Sequence, residues 1–196
     1  MKKLFAGTLL GLAVVSGWAQ GTIDFRNGGV TFKTVEDRKV YLGTVGNGLG
    51  LVGTNYVAAL YYVVGANAVI NGPTLGIQAG EVARFRPVTT SSQGTWLNPT
   101  AIGNTRVLAG VSFLQPATIQ IRVWDSTKYS SYAAAFAAGE YGASTPFNYT
   151  VPAEGDLLLS DYYLNDLRAF AVVPEPSIIA LGALGVASLL FLRRRK

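Results

Sequence analysis

The sequence predicts an all-β body, an antiparallel β-sandwich with one short helix. Glycine recurs as punctuation, at Gly28, Gly29, Gly43, Gly46, Gly50, Gly53, Gly65, Gly72 and onward, with short β-branched and aromatic runs between. Turn signals at that spacing separate strands too short and too numerous for alternating βα units. The stretch TIQIRVWD alternates Ile119, Ile121 and Val123 with Gln120, Arg122 and Trp124, the period of a strand with one core face and one solvent face. Together these features fit a sandwich of jelly-roll or Ig-like type with an Ala-rich helix, flanked by an N-terminal signal peptide and a C-terminal transmembrane helix.

Residues 1–19 form the signal peptide. Lys2 and Lys3 are its positive head, 4–15 an apolar run without a polar face, and Gly17-Trp18-Ala19 a small-x-small site that places cleavage between Ala19 and Gln20. Strands are then expected over 21–27, 40–45, 57–64, 82–88, 106–113, 118–125, 147–151 and 167–173. The 57–64 run is apolar at both parities and dense in Val and Tyr, which predicts a central strand covered on both sides. Asn71-Gly72-Pro73 is a turn. In STKYSSYAAAFAAGEYG, Tyr129, Tyr132, Ala133, Phe136 and Ala137 fall at helical spacing. Ser126 or Thr127 is available to cap the start, and Gly139 to take the left-handed position at the end.

Charge is informative once partitioned. The formal +5 of the chain belongs to its ends, because residues 20–173 hold ten basic and ten acidic side chains. A neutral body carries no nucleic-acid footprint. The chain also lacks Cys and His altogether. That removes disulfides, thiolate nucleophiles, the common zinc ligands and the usual general base, so no cofactor, metal site or enzymatic activity is expected.

The end of the chain reads VPEPSIIALGALGVASLLFLRRRK. Residues 178–192 are apolar or small and span roughly 22–24 Å as a helix, short of a ~30 Å hydrocarbon core. Arg193, Arg194, Arg195 and Lys196 follow as a basic stop that would hold this end at the cytoplasmic side. A transmembrane helix is expected over 177–192. Pro174 and Pro176 fix φ and push their neighbours toward extended backbone, so Val173-Pro174-Glu175-Pro176 stands as an extended segment at the outer membrane face.

VPEPS, the short Gly/Ala/Leu span and RRRK, in that order, resemble the PEP-CTERM sorting signal of bacterial exopolysaccharide-associated surface proteins. The resemblance implies that Val173, Pro174, Glu175 and Pro176 are a recognition motif for the membrane protease-transpeptidase exosortase and that the tail is removed on delivery. It also implies Sec export, a transient membrane anchor, a final place at the cell surface or in the matrix, and exopolysaccharide as a partner. GTIDFRN, YVAALYY, IQIRVWDS and LNDLRAFAVVPEPS resemble the layout of one group of such proteins with no assigned activity. The chain thus divides into the signal peptide 1–19, a β-sandwich domain 20–172 and a sorting signal 173–196.

Three other constellations bear on chemistry. Glu154, Asp156, Asp161 and Asp166 cluster in sequence and offer carboxylate pairs for glycoside cleavage, against the plainer role of solubilising a loop. Asp125, or the segment 156–166, offers oxygen ligands for calcium, although no run has the EF-hand spacing. Trp96, Trp124 and Tyr56 offer stacking faces for sugars, against a role in the core. Asn148 begins an NYT acceptor pattern.

Overall fold

The computed structural model describes residues 20–46, 49–87 and 92–173. The signal peptide, Pro174, Glu175, Pro176, the helix expected over 177–192 and the basic stop at Arg193, Arg194, Arg195 and Lys196 lie outside the described residues. Among the described residues, no helix is long and apolar enough to cross a membrane.

The strands are β1 (Gly21–Asp24), β2 (Val40–Leu42), β3 (Tyr56–Val64), β4 (Ile77–Gln78), β5 (Ala83–Phe85), β6 (Trp96–Leu97), β7 (Thr105–Leu108), β8 (Pro116–Asp125), β9 (Tyr141–Ala143), β10 (Phe147–Thr150) and β11 (Phe170–Val172). A helix, α1 (Tyr132–Ala138), lies between β8 and β9, and a 3-10 turn (Leu159–Tyr162) precedes β11. The scaffold is the antiparallel pair β3–β8, nine residue pairs from Tyr56 opposite Asp125 to Val64 opposite Ala117. Short strands line both its outer edges. Along β8 these are β9 and β10, and along β3 they are β4 and β5. The nine-stranded sheet runs β2-β11-β9-β8-β3-β5-β6, and β1 with β7 forms a second, two-stranded sheet. All named pairs are antiparallel except β2 with β11, which run parallel. The fold is mostly β, a curled sandwich-like arrangement with one helix among the described residues.

Strand parity sorts the core into two layers. Ala58, Leu60 and Tyr62 of β3 and Ala117, Ile119, Ile121 and Val123 of β8 join Ile23, Phe25, Leu108, Val151, Leu164 and Phe170 in the main core. The other parity of the same strands, Val57, Ala59 and Trp124, packs with Tyr132 and Ala135 under α1. As expected, β3 is covered on both sides. The reading of β8 as half solvated is corrected, since Ala117 to Trp124 are all buried. Its polar parity faces the 65–76 loop and α1, where each polar side chain bonds to what covers it. The Thr118 hydroxyl accepts from Ala68 N and donates to Gly65 O, both at 2.8 Å. Gln120 donates to Asn71 Oδ1 at 3.2 Å and Ser144 O at 3.1 Å. Arg122 donates to Ile70 O and Leu75 O, both at 2.7 Å. Polar alternation here encodes attachment of a loop.

Helix α1 is capped by Ser131, whose Oγ accepts from Ala134 N at 3.3 Å, and not by Ser126 or Thr127. Those two residues form the turn that ends β8, in which Asp125 Oδ1 accepts from Thr127 N and Oγ1 at 2.9 and 2.6 Å. The helix ends as expected at Gly139, with φ 80°. Gly139 N–H donates to Phe136 O at 3.1 Å and Glu140 N–H to Ala135 O at 3.0 Å, the paired bonds of a Schellman ending. Strands β4, β6 and β9 were not expected from the sequence.

Candidate functional site

The body ends inside the sheet. Strand β11 lies between β2 and β9, and its last residue, Val172, pairs with Leu42 on one side and Gly142 on the other. Gly43 N–H donates to Val172 O at 2.9 Å, and Val173 N–H donates to Tyr141 O at 3.1 Å. Phe170 and Val172 are buried in the main core, whereas Val173 is exposed. The step from buried core to exposed backbone therefore takes one residue. Because β2 and β11 are parallel, the turn after Leu42 emerges at the same end of the sheet as Val173. Tyr141 opens β9 at that end, and so do Asp125, which closes β8, and Tyr56, which opens β3. At the other terminus of the body, Gln20 is exposed and Gly21 begins β1, its N–H donating to Val111 O at 2.6 Å. Both processing points proposed from the sequence thus adjoin strands directly, with no linker.

The residues considered for sugar stacking are placed elsewhere. Trp96 is 2% and Trp124 5% exposed, so neither offers a face to a glycan. Trp96 stacks at 5.0 Å on Phe25 and donates its indole N–H to Phe25 O at 3.0 Å. Trp124 meets Tyr132 edge-on at 6.2 Å. Tyr56 is half-buried against the main core. Large aromatics are used here as packing, the commoner role in β-proteins.

The acidic segment is held by local structure. Asp161 pairs with Lys33, whose hydrogen bond is the main influence keeping its carboxyl below the usual range, with a smaller contribution from Ser160. Asp156 Oδ1 accepts from Leu158 N at 2.9 Å. Asp156 also lines a cleft of about 350 Å³ with Asp24, Tyr162 and Tyr163, but Asp24 is gripped there by Arg26 at 2.7 and 2.5 Å. Glu154 and Asp166 are exposed. A proton-donating carboxyl needs a raised pKa, and Asp161 is moved the other way. Asp125 spends one oxygen on Thr127, and no group of three potential metal-ligating side chains occurs among the described residues. Asn148 is exposed and exchanges hydrogen bonds of 2.8 and 2.9 Å with Asn67.

Reading the sequence missed three buried arginines, Arg38, Arg106 and Arg122. Each is held chiefly by backbone carbonyls. Arg38 donates to Leu164 O at 3.0 Å, Glu36 O at 2.8 Å and Asn165 O at 2.5 Å, tying the 33–38 segment to the chain just before β11. Arg106 donates to Glu81 O at 3.2 Å and to Asn98 Oδ1 at 2.6 Å. Burial lowers the pKa of all three. A guanidinium nevertheless stays charged, so it suits such sites better than lysine. For Arg106 and Arg122 the one signal in the sequence is an arginine at a strand position flanked by strong β-formers, whereas Arg38, between Asp37 and Lys39, carries no such signal.

The final strand of the β-rich body ends at Val172, immediately before the proline motif in the sequence. The family model for the PEP-CTERM protein-sorting motif matches residues 172–196, so the chain carries this sorting motif at its C-terminal end. The motif makes it an exosortase-sorted, exported protein with a membrane-anchored precursor. The match begins at Val172, the last residue of β11. No curated protein and no solved structure matches the chain.

Proposed function

We propose that the chain is a non-catalytic surface or matrix protein that exosortase separates from its anchor at Pro174-Glu175-Pro176, with the basic stop at 193–196 holding the precursor in place. Sec export delivers the body, and exopolysaccharide is its setting. The observation that carries this reading is the junction itself. The body completes its last strand at Val172, with Phe170 and Val172 in the core and Val173 exposed, so the described core closes before the sorting motif. A non-catalytic role is supported by the absence of His and Cys and by the ion pairs that occupy Asp24 and Asp161.

Cell fractionation followed by mass spectrometry of the mature C-terminus tests the proposal. A surface or matrix protein lacking residues 193–196 is expected, and an intact arginine-rich tail on a cytosolic protein overturns it. The Glu175→Ala variant is expected to accumulate as unprocessed precursor, because the proline-flanked carboxylate is the one charge beside the apolar run on its outer side.

A further inference from the structure

The end of the sheet from which Val173 leaves also carries an apolar turn. Strand β2 closes at Leu42, and the chain returns at Leu49, with Leu42 N–H donating to Leu49 O at 3.0 Å and Gly50 bridging back to Tyr41. Leu42 is 42%, Val45 45% and Leu49 77% exposed, and Val173 beside them is 54% exposed. The sequence from Val40 to Gly80 holds no charged residue. Two charged side chains at this end of the sheet are engaged, Lys128 with Glu140 at 2.8 Å and Asp125 with Thr127. Exposed apolar side chains grouped beside a membrane tether are candidates for an interaction surface.

The length of the tail identifies the partner. Six peptide steps separate Val172 from Ile178, where the apolar run starts, and fully extended they reach about 20 Å. While that run is in the bilayer, this end of the sheet is confined to the membrane surface. The parallel pairing of β2 with β11 fixes the turn beside the tether, through Gly43 N–H to Val172 O at 2.9 Å. We propose that Leu42, Val45 and Leu49 are a second membrane contact, seated in the lipid headgroup layer for as long as the precursor is anchored. This rests on the anchored-precursor reading above. Contact through uncharged side chains follows apolar burial at the headgroup boundary, roughly 5–10 Å deep, and is insensitive to salt.

Because the chain has no Cys, single-cysteine labelling of the full precursor is unambiguous. Val45→Cys, Leu49→Cys, Leu157→Cys and Ala187→Cys are each labelled with an environment-sensitive fluorophore and reconstituted in phosphatidylethanolamine–phosphatidylglycerol vesicles containing nitroxide lipids. Leu157, 90% exposed in the loop before the 3-10 turn, controls for an apolar side chain away from the junction. Shallow nitroxides are expected to quench positions 45 and 49 at least about twofold more than 157, unchanged in high salt, as for an apolar interfacial contact. Quenching at 45 and 49 equal to that at 157, with position 187 quenched by deep nitroxides, overturns the second contact and leaves the anchor intact. No quenching at 187 overturns the anchor instead. Loss of exosortase processing in Val45→Asp without shallow quenching at 45 would reassign the turn to the enzyme and also overturn the lipid contact.

Discussion

The guanidinium carbon of Arg122 lies 4.1 Å from the ring centre of Tyr61. Tyr132 approaches the same cation at 4.8 Å, and the two rings stand where a buried arginine would ordinarily find a carboxylate. Arg122 is fully buried at the middle of the longest strand, under α1 and the 65–76 loop. Its Nε donates to Gln120 Oε1 at 2.9 Å and its Nη2 to two loop carbonyls, while Nη1 is buried without a hydrogen-bond partner. One side chain therefore joins sheet, helix and loop.

Replacing Arg122 by Met removes the bonds to Ile70 O and Leu75 O and the stacking on both rings. We expect a loss of about 3 kcal/mol, the scale of charge-assisted bonds to buried groups less the relief of burying a charge. Arg122→Lys should fare no better, because an ammonium cannot contact both rings and reach two carbonyls at once. Urea denaturation reads both variants, and an unchanged midpoint would mean that desolvation cancels the contacts.

Stability should be flat through the neutral range and fall on both sides. The Lys128 hydrogen bond, then that of Tyr129, holds Glu140 below the usual carboxylate range. Lys33 does the same for Asp161, and at Asp125 burial is outweighed by the Thr127 hydroxyl and amide. Depressed folded-state values give stability that is present above the unfolded pKa and lost as pH falls through the folded one, so the acid limb begins below about pH 5. Burial raises Tyr132 and Tyr149, which gives stability present below the unfolded pKa and lost above about pH 10, as the unfolded tyrosines ionise. With no His or Cys, no side chain of ordinary pKa titrates in between. Thermal melts across pH check this, and a sharp break near pH 6–7 would contradict it.

Chains ending at Val173 and at Ala169 should behave oppositely. The first keeps β11, with Phe170 and Val172 in the core and the backbone bonds to Gly43 and Tyr141. The second leaves both buried positions empty and strips β2 and β9 of their neighbour, a loss of more than about 5 kcal/mol on large-to-small core precedents. Circular dichroism of the two secreted forms distinguishes them. A folded Ala169 form would show that β11 belongs to the tail and not to the body.

Tryptophan emission offers a direct check on the sugar-stacking alternative. After signal removal only Trp96 and Trp124 remain, both in the core. Their emission should be that of buried indoles, weakly quenched by acrylamide and unchanged on titration with exopolysaccharide. A glycan-induced shift would require an opening of the core.

By itself the sequence determined the class of the body and the presence of a sorting signal at its C-terminal end. Glycine punctuation and β-branched runs located eight of the strands, and the apolar parity of 57–64 announced a strand buried on both faces. The order of proline motif, apolar run and basic stop is a linear signal, legible without a fold. Tertiary structure alone decided what the polar parity of β8 faces. Thr118, Gln120 and Arg122 alternate like a solvated face, but periodicity reports only that two faces differ, not what covers the second one. The helix start was lost to Ser131 because serines at 126 and 131 are equivalent until the β8 turn consumes the first. Short strands such as β4, β6 and β9 have too few residues to show a period and exist because a longer neighbour offers an unpaired edge. The place of Val173 beside Leu42 and Leu49 likewise follows from a parallel pairing across 130 residues of chain, a relation that no local pattern carries.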